Sequence, residues 1–370
     1  MNIFTLLKQV RAPLAIVMVV MACEPFVTTF EEVEEAEYYQ AATLTDVPAT
    51  PDTLLIMTWN IKYAGGDIDF WWACYDDRVL MTEKETVDNL ELLVEKINAA
   101  QPDILLLQEV DVESKRTAYI DQMQYLLDHT DMNYGVYASM WRTQFVPSDG
   151  LGRTDMCPAI LSRWPLEDAE RIGLALRTDQ DALTRYFYLR RCIVKAAVAI
   201  PGRDPVQVVN VHTAAFPMDD TKLKHIDRFK EELDAIEASG ELFVAGGDLN
   251  SLPPGSFKVK DFPDDKCRTG DFEGGDYSRE VAWLDNLYAT YTPAIPLSDF
   301  QNAIDQSPFF SFGDKPDSLG LSRKLDYLFT NGAWAPGSAI THQDVIGPGF
   351  ALSDHVPLSA KLVLETPLAN

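Results

Sequence analysis

The sequence predicts a single α/β domain beginning near residue 50, and three observations predict it. Short β-rich runs alternate along the chain with apolar residues at helical spacing, which argues for layered α/β packing. Hydrophobic residues make up 46% of the 370 residues and charged residues 24%, so a sizeable core is available and wholesale disorder is ruled out. No repeat or internal linker divides the chain, so one large domain fits better than the two that length alone suggests.

The elements follow in order. Leu54 to Ile61 is a β-rich run just after Pro51 and reads as the first core strand. Val87, Leu90, Val94 and Ile97 recur at helical spacing, and Pro102 stops that helix before a second strand, Ile104 to Val110. A second helix is expected over Thr117 to His129, then strands at Tyr134 to Trp141 and Ala159 to Arg163. A long pair, Tyr186 to Ile200 and Val206 to His212, is joined by Pro201-Gly202-Arg203-Asp204-Pro205, a hairpin signal. Leu223, Ile226, Phe229, Leu233 and Ile236 mark a third helix, and strands at Leu242 to Ala245, Leu325 to Thr330 and Val356 to Leu364 complete the pattern.

Two stretches break this rhythm. Gly65 to Arg78 is aromatic and acidic, and its Phe70-Trp71-Trp72 reads as a substrate platform, a membrane-touching tip or a loop packed on its own domain. Pro253 to Gly320 is long and rich in Gly, Pro and Asp, with a short helical segment near Val281 to Leu287. Loops of that length in a compact domain are usually functional, and both are expected over the cleft formed by the strand ends.

The N-terminus reads as an address. Lys8 and Arg11 precede an uncharged, mostly apolar run, Ala12 to Ala22. Eleven helical residues rise only about 16 Å, half of a bilayer core, so the run is too short to span. It ends Val20-Met21-Ala22-Cys23, which resembles the lipobox of bacterial lipoproteins, where the Cys is lipidated and becomes the first mature residue. That resemblance implies a signal peptide over 1–22, lipidation at Cys23, and a lipid-anchored protein of the bacterial cell envelope, on a periplasmic or surface face of the outer membrane. Residues 23–49, with Glu31-Glu32-Val33-Glu34-Glu35-Ala36-Glu37, then read as an acidic tether, and 50–370 as the domain. In an oxidising envelope the four later cysteines allow two disulfides. Cys192 lies in an apolar strand pattern and reads as a buried thiol, and Cys74 with Cys267 is the preferred pair.

Charge narrows the partners. Thirty-one basic against 57 acidic residues give a net charge of −26. An acidic surface repels phosphate backbones, so non-specific DNA binding needs a local basic patch.

Polar residues at the ends of apolar strands are the informative ones, because a strand entering a cleft delivers its last side chain to the rim. Asn60 ends the first strand, Gln108-Glu109 the second, and Asn210 and His212 the return strand of the hairpin. Gly247-Asp248-Leu249-Asn250 follow Phe243-Val244-Ala245, Asp326 lies in Leu325-Asp326-Tyr327, and Ser353-Asp354-His355 precedes the final strand. Singly these are weak: a lone Glu is ordinarily solvated, and Asp-Leu-Asn after Gly-Gly is ordinarily a turn or cap. His129, His225 and His342 lack such neighbours and read as structural.

In that order, Thr58-Trp59-Asn60, Leu107-Gln108-Glu109, Val209-Asn210-Val211-His212, Gly247-Asp248-Leu249-Asn250, Leu325-Asp326-Tyr327 and Ser353-Asp354-His355 resemble the motifs of the endonuclease/exonuclease/phosphatase superfamily, the DNase I-like metal-dependent phosphohydrolases. They span roughly 54–364, specify the superfamily and discriminate poorly among its members. The resemblance implies a four-layer α-β-β-α sandwich with two mixed sheets face to face and the active site at one edge. It also implies a Mg²⁺ site (or Mn²⁺ or Ca²⁺) with Glu109 as the best ligand, Asn60 in support and Asp354 close to the metal or its waters. Asp248 and Asn250 carry over as the pair orienting water and scissile phosphate, His212 and His355 as phosphate-flanking histidines, and Asp326 as the carboxylate holding His355.

An imidazole paired with a carboxylate has a raised pKa and a fixed tautomer, suited to proton transfer or to a cationic phosphate contact. His355 is the lead acid/base and Asp248 positions water, although either fits the proton acceptor. Arg190-Arg191 reads as a doubled Arg within a strand, one turned to the cleft as a phosphate clamp and the other away; two ordinary surface arginines are the alternative. The expected activity is hydrolysis of a lipid or small-molecule phosphodiester by a monomer. Nucleic acid is a less favoured substrate, with Arg153, Arg190 and Arg191 available to a short strand. An inactive phosphate-binding lipoprotein is a third reading, disfavoured by the complete set of site residues.

Overall fold

The computed structural model describes residues 26–47, 51–70, 78–148, 150–215, 217–262 and 275–364. Cys23 and the signal segment, Trp71, Trp72, Cys74 and Cys267 lie outside them. Among the described residues no helix is long and apolar enough to cross a membrane.

The acidic segment expected as a tether is instead part of the fold. Val33–Glu35 forms strand β1 and Glu37–Gln40 forms β2. The first core strand, β3, spans Thr53–Asn60, and helix α1 spans Glu83–Ala100. A capping box starts α1: the Thr82 side chain accepts from Glu85 N–H, and the Glu85 carboxylate accepts from Thr82 N–H. Strand β4 covers Ile104–Asp111, and the second helix is shorter than expected, α2 at Gln122–His129 after a 3₁₀ turn at Lys115–Thr117. Strands β5 (Tyr134–Tyr137), β6 (Trp141–Val146), β7 (Gly152–Ser162) and β8 (Leu166–Gly173) follow.

The expected strand from Tyr186 is shorter as well. Asp181 caps a short helix, α3 (Ala182–Phe187), and only Cys192–Val198 is strand β9. Strand β10 (Val206–His212), helix α4 (Thr221–Ser239) and strand β11 (Phe243–Asp248) come next. The long insertion contains α5 (Asp285–Thr290), β12 (Thr292–Pro293), α6 (Leu297–Asn302) and α7 (Pro316–Leu319). After β13 (Asp326–Thr330) come four two-residue strands, β14 at Ala333–Trp334, β15 at Ile340–Thr341, β16 at Ile346–Gly347 and β17 at Phe350–Ala351. Strand β18 spans Leu358–Val363.

Two mixed sheets result. One runs β1-β8-β9-β10-β11-β13-β12; the other runs β14-β18-β3-β4-β7-β5-β2, with β6 beside β7 and β15 beside β18. The β10–β11 and β3–β4 pairs are parallel, and the remaining neighbours in the two sheets are antiparallel. Period-two alternation sorts the side chains. Leu54, Ile56, Ile104, Leu106, Val206, Val208, Val244 and Leu328 fill the space between the sheets. The intervening Met57, Trp59, Leu105 and Leu107 face outward onto α1 and α2, through Leu90, Leu93, Ile97, Met123 and Leu126. On the opposite outer face, Val209, Val211, Phe243 and Ala245 pack against Ile226, Phe229 and Leu233 of α4. This is the four-layer sandwich.

The strands β1 and β2 close the two edges on one side, β1 along β8 and β2 along β5. Their carboxylates remain solvated while the backbone pairs, which suits an edge strand because charge there discourages further strand addition. Cys192 is a buried thiol, as is Cys157.

Candidate active site

Following the inner-facing phase of each strand toward one end changes its chemistry. In β3 the inner series Leu54, Ile56, Thr58 ends at Asn60, and in β4 Ile104 and Leu106 lead to Gln108. In β10 Val206 and Val208 lead to Asn210 and His212; β11 ends at Asp248, and β13, running the other way, begins at Asp326. All of these are buried. The polar cluster is therefore the end of the inter-sheet core, with polar groups in positions that alternation assigns to apolar side chains.

Glu109 is out of phase with that series, and a bulge re-aims it. The β4–β7 register shifts between Leu107 and Val110, and Glu109 adopts a φ of 56°. A bulge adds one residue to one strand and rotates its side chain, here bringing Glu109 Oε1 to 3.9 Å from His212 Nε2. The Gly246-Gly247 pair before Asp248 answers to close approach: a Cβ on Gly246 would lie 2.1 Å from the Tyr327 carbonyl oxygen, and one on Gly247 2.0 Å from that of Val211.

Asp248 is the hub. Its Oδ1 accepts from Asn250 N–H at 2.9 Å, and its Oδ2 accepts from Asn60 Nδ2 at 3.3 Å. The same Oδ2 lies 3.3 Å from His212 Nε2 and 3.6 Å from His355 Nε2. Burial pushes the Asp248 carboxyl up to about 7, against the pull of His355. His355 Nδ1 lies 2.8 Å from Asp326 Oδ2, so its hydrogen is donated to the carboxylate and Nε2 points toward Asp248. Burial alone would lower His355, but Asp326 and Asp248 together raise it to about 10. Burial drives His212 the other way, well below its ordinary value, with Arg191 and His355 adding to the effect. The two histidines are therefore driven in opposite directions, His355 toward the cation and His212 toward the neutral ring.

Facing this is an oxygen-rich group. Burial and the neighbouring Asp354 carboxylate raise Glu109, opposed by Arg116, His355 and Arg191. Ser353 Oγ donates to the Asn60 carbonyl at 2.7 Å and to Asp354 Oδ1 at 3.1 Å, tying Asp354 to the end of β3. Two neighbouring carboxylates, Glu109 and Asp354, suit a hard cation. Separately, Asp248, Asp326 and His355 each offer a ligand atom within 4.8 Å of the others, a buried group able to hold a metal ion. Asp326 Oδ1 has no hydrogen-bond partner among the described residues.

The structure thus gathers Asn60, Glu109, His212, Asp248, Asn250, Asp326, Asp354, His355 and Arg191. Arg191 is buried with Nη1 donating to the His212 carbonyl at 3.2 Å. Arg190 is not brought to the cluster; of the two arginines, one expected at the cleft and one away, it is the one turned away. The pair precedes β9 rather than lying within it, and Arg190 turns its guanidinium to the Tyr186 and Tyr188 carbonyls behind α3. Arg153 pairs with Glu113. Phe70 is fully buried against Tyr63, so this ring packs on its own domain. His225, His129 and His342 bond to main-chain groups or to Ser359, as structural histidines do.

Sequence reasoning missed two supports, Arg116 and Lys222, and singled out Asn210 without assigning it a role. Asn210 braces the sheets, donating to the Leu107 and Ala159 carbonyls at 2.7 and 2.8 Å and accepting from Gln108 Nε2 at 2.7 Å. Arg116 makes a bidentate pair with Asp111 at 2.7 and 2.8 Å and stacks 3.8 Å over the Tyr63 ring. Lys222 is buried, donating to the Asn250 carbonyl at 2.6 Å and to both Glu280 oxygens at 2.9 and 2.8 Å. Lys222 had a signal, since it occupies the apolar phase of α4 with Ile226, Phe229, Leu233 and Ile236. The long insertion supplies Glu280 and lays Phe312 against the His355 ring, with centroids 4.7 Å apart.

Comparison with known proteins agrees with this architecture. No curated protein sequence matches the chain. Similar solved structures include an endonuclease/exonuclease/phosphatase from Beutenbergia cavernae, 18% identical over 85% of this chain and 72% of that one, with a TM-score of 0.53. A family protein from Leptotrichia buccalis is 15% identical over 84% of this chain and 100% of that one, with a TM-score of 0.51. The human nocturnin catalytic domain with bound sulfate anion is 16% identical over 89% and 98%, with a TM-score of 0.50. At these identities the likeness concerns the fold alone. The family model for the endonuclease/exonuclease/phosphatase family matches residues 57–355, from within β3 to His355, and the chain belongs to that family of metal-dependent phosphoester hydrolases.

Proposed function

We propose that the chain is a Mg²⁺-dependent phosphodiesterase acting on a lipid or small-molecule phosphodiester at the bacterial cell envelope, where a lipid on Cys23 holds it. The observation that carries the hydrolytic part is the Asp326–His355 pair, 2.8 Å apart, with Nε2 directed at Asp248 beside the Glu109–Asp354 oxygens. Those oxygens fit a hard cation, with Glu109 and Asp354 as ligands and Asn60 in support. Bound there, Mg²⁺ would neutralise phosphoryl charge and favour attack at phosphorus.

The chain's own residues do the rest. Asp248, fixed by Asn250 N–H and Asn60, orients the attacking water, and Asn250 contacts the scissile phosphate. His355 holds and moves a proton at Nε2, its tautomer fixed by Asp326. His212 and the Arg191 guanidinium flank the phosphate oxygens. The net charge of −26 supports a lipid or small-molecule substrate over a polyanion. Extracellular nuclease activity is the alternative.

The test is the purified chain assayed with Mg²⁺ against bis-p-nitrophenyl phosphate, sphingomyelin and plasmid DNA in parallel, with EDTA controls. Diester cleavage without DNA nicking, abolished by EDTA, is expected. Preferred nicking of DNA overturns the substrate reading, and inactivity on all three favours a phosphate-binding protein.

A further inference from the structure

The described chain starts at Phe26, and Phe26 is already fixed to the domain. Its carbonyl accepts from Gln144 N–H at 2.8 Å and from Thr143 Oγ1 at 2.5 Å, both on β6, and Thr28 N–H donates to the Arg142 carbonyl at 2.9 Å. Val27 bridges Thr143 and is buried. Only Glu24 and Pro25 lie between Phe26 and Cys23, a reach of about 11 Å at most. A free tether from residue 23 to residue 49 would have reached roughly 90 Å.

The registers fix where that short reach ends. Strand β4 runs toward the cluster through Glu109 to Asp111, and Asp111 pairs with Met156 of the antiparallel β7. Residues 152–155 continue past that pair by roughly 13 Å at the strand rise. Strand β6 returns beside them, Trp141 against Met156 and Val146 against Gly152. The β6–β7 hairpin therefore overhangs the catalytic end of the sandwich, and Phe26 is attached to it.

From there the chain leads away from the site. Val33 pairs with Ile172 near the catalytic ends of β8 and β9, and Gln40 pairs with Tyr134, whose other partner, Ser162, lies at the opposite end of β7. At the overhang Phe26 is 58% and Phe145 50% exposed, their rings 6.5 Å apart. Lys115 reaches the same hairpin, donating to the Gly150 carbonyl at 2.8 Å.

We propose that the anchored protein holds its catalytic end against the bilayer carrying the Cys23 lipid, with Phe26 and Phe145 seated in the interface. This rests on the lipid-anchor reading above. The short reach leaves the domain little freedom to turn over, and two exposed phenylalanine rings beside the attachment point can bury at the headgroup/acyl boundary. The consequence is functional: phosphodiesters in that leaflet meet the site without leaving the surface, whereas large soluble polymers must enter a gap between protein and membrane.

The experiment uses the full lipidated chain in vesicles of phosphatidylethanolamine and phosphatidylglycerol, 3:1. The photo-crosslinker p-benzoylphenylalanine replaces either Phe145 or Asp204, the latter exposed in the β9–β10 turn at the other end. Mass spectrometry reads lipid adducts and the acyl chains on residue 23. At least tenfold more lipid adduct at 145 than at 204 is expected, and a 20-residue Gly-Ser insertion between Pro25 and Phe26 should reduce it several-fold. Equal adducts at the two positions with acylated Cys23 overturn the orientation while leaving the anchor intact. An unmodified Cys23 overturns the anchor, and the orientation with it.

Discussion

The two ends of the sandwich are built on the same strands and differ in what the inner phase carries. At one end Leu54, Ile104, Val206 and Val244 meet between the sheets; at the other, the same phase delivers Asn60, Gln108, His212 and Asp248. Each apolar side chain at the first end contributes roughly 1.5–3 kcal/mol by burial. At the second end, each buried ion faces a desolvation penalty of several kcal/mol before its partners offset it. The first end stabilises the fold, while the second draws on that stability to hold a reactive arrangement. The Lys222–Glu280 pair, the Arg116–Asp111 pair and the Asn210 brace hold the costly end in shape.

That division can be broken experimentally. The largest effect belongs to His355: His355→Gln should lower kcat by about 10²–10⁴ with native circular dichroism. Adding Asp326→Asn should cost little more, because the two act as a unit. Fully additive losses in the double-mutant cycle would show that they act independently.

Lys222→Met strands Glu280 as an unpaired buried carboxylate and should destabilise by about 3–5 kcal/mol in urea unfolding. The double variant Lys222→Met/Glu280→Leu should recover most of that stability. Its kcat should stay down by about 10- to 10²-fold, because the Asn250 carbonyl has lost its donor and the Asp248–Asn250 turn its support. Recovery of both quantities would make the pair a packing element only.

At the apolar end, Ile104→Ala should cost about 2–5 kcal/mol of stability and leave kcat per folded molecule unchanged. A loss of kcat in the folded fraction would mean that the two ends are mechanically coupled.

His225 gives a pH test beside the site. Burial lowers it to about 4, with Nδ1 accepting from Ala214 N–H and Nε2 donating to the Ala175 carbonyl. Its folded pKa lies below the ordinary unfolded value of about 6.5, so below that value the unfolded chain takes up the proton first. Stability should fall as pH drops from about 6.5 to about 4, by up to roughly 3 kcal/mol from this residue. His225→Gln should flatten that part of the Tm–pH curve, and an unchanged slope would assign it to the other lowered histidines, His342 and His212.

Glu109→Gln keeps the shape and removes one unit of ligand charge, so Mg²⁺ affinity should weaken about tenfold or more by isothermal titration. Normal activity of the variant at micromolar Mg²⁺ would remove Glu109 from the metal site.

Strands with an apolar run ending in polar residues were legible because period-two alternation is local: reading β3, β4, β10 and β11 to their ends located Asn60, Glu109, His212 and Asp248. The segments β6 and β8 were not legible. Trp-Arg-Thr-Gln-Phe-Val and Leu-Glu-Asp-Ala-Glu-Arg-Ile-Gly lack a continuous apolar run, and neighbouring strands supply the pairing that makes them strands. The acidic segment at 33–40 misled for the same reason. Its composition reads as solvated chain, and only the open edges of β8 and β5 make it sheet.

The sequence by itself determined the layered α/β class, the core phase of most strands and the order of the polar strand ends, since each follows from residues within a few positions of one another. Tertiary structure decided the rest. It set the bulge that turns Glu109 inward, the pairing of Lys222 with a Glu 58 residues away, and the exclusion of Arg190 from the cluster beside the inclusion of Arg191. It also decided that residues 26–28 pair along β6, on the hairpin beside the catalytic end. These depend on contacts between distant parts of the chain, whose energies exist only once the two sheets are stacked and water is excluded between them.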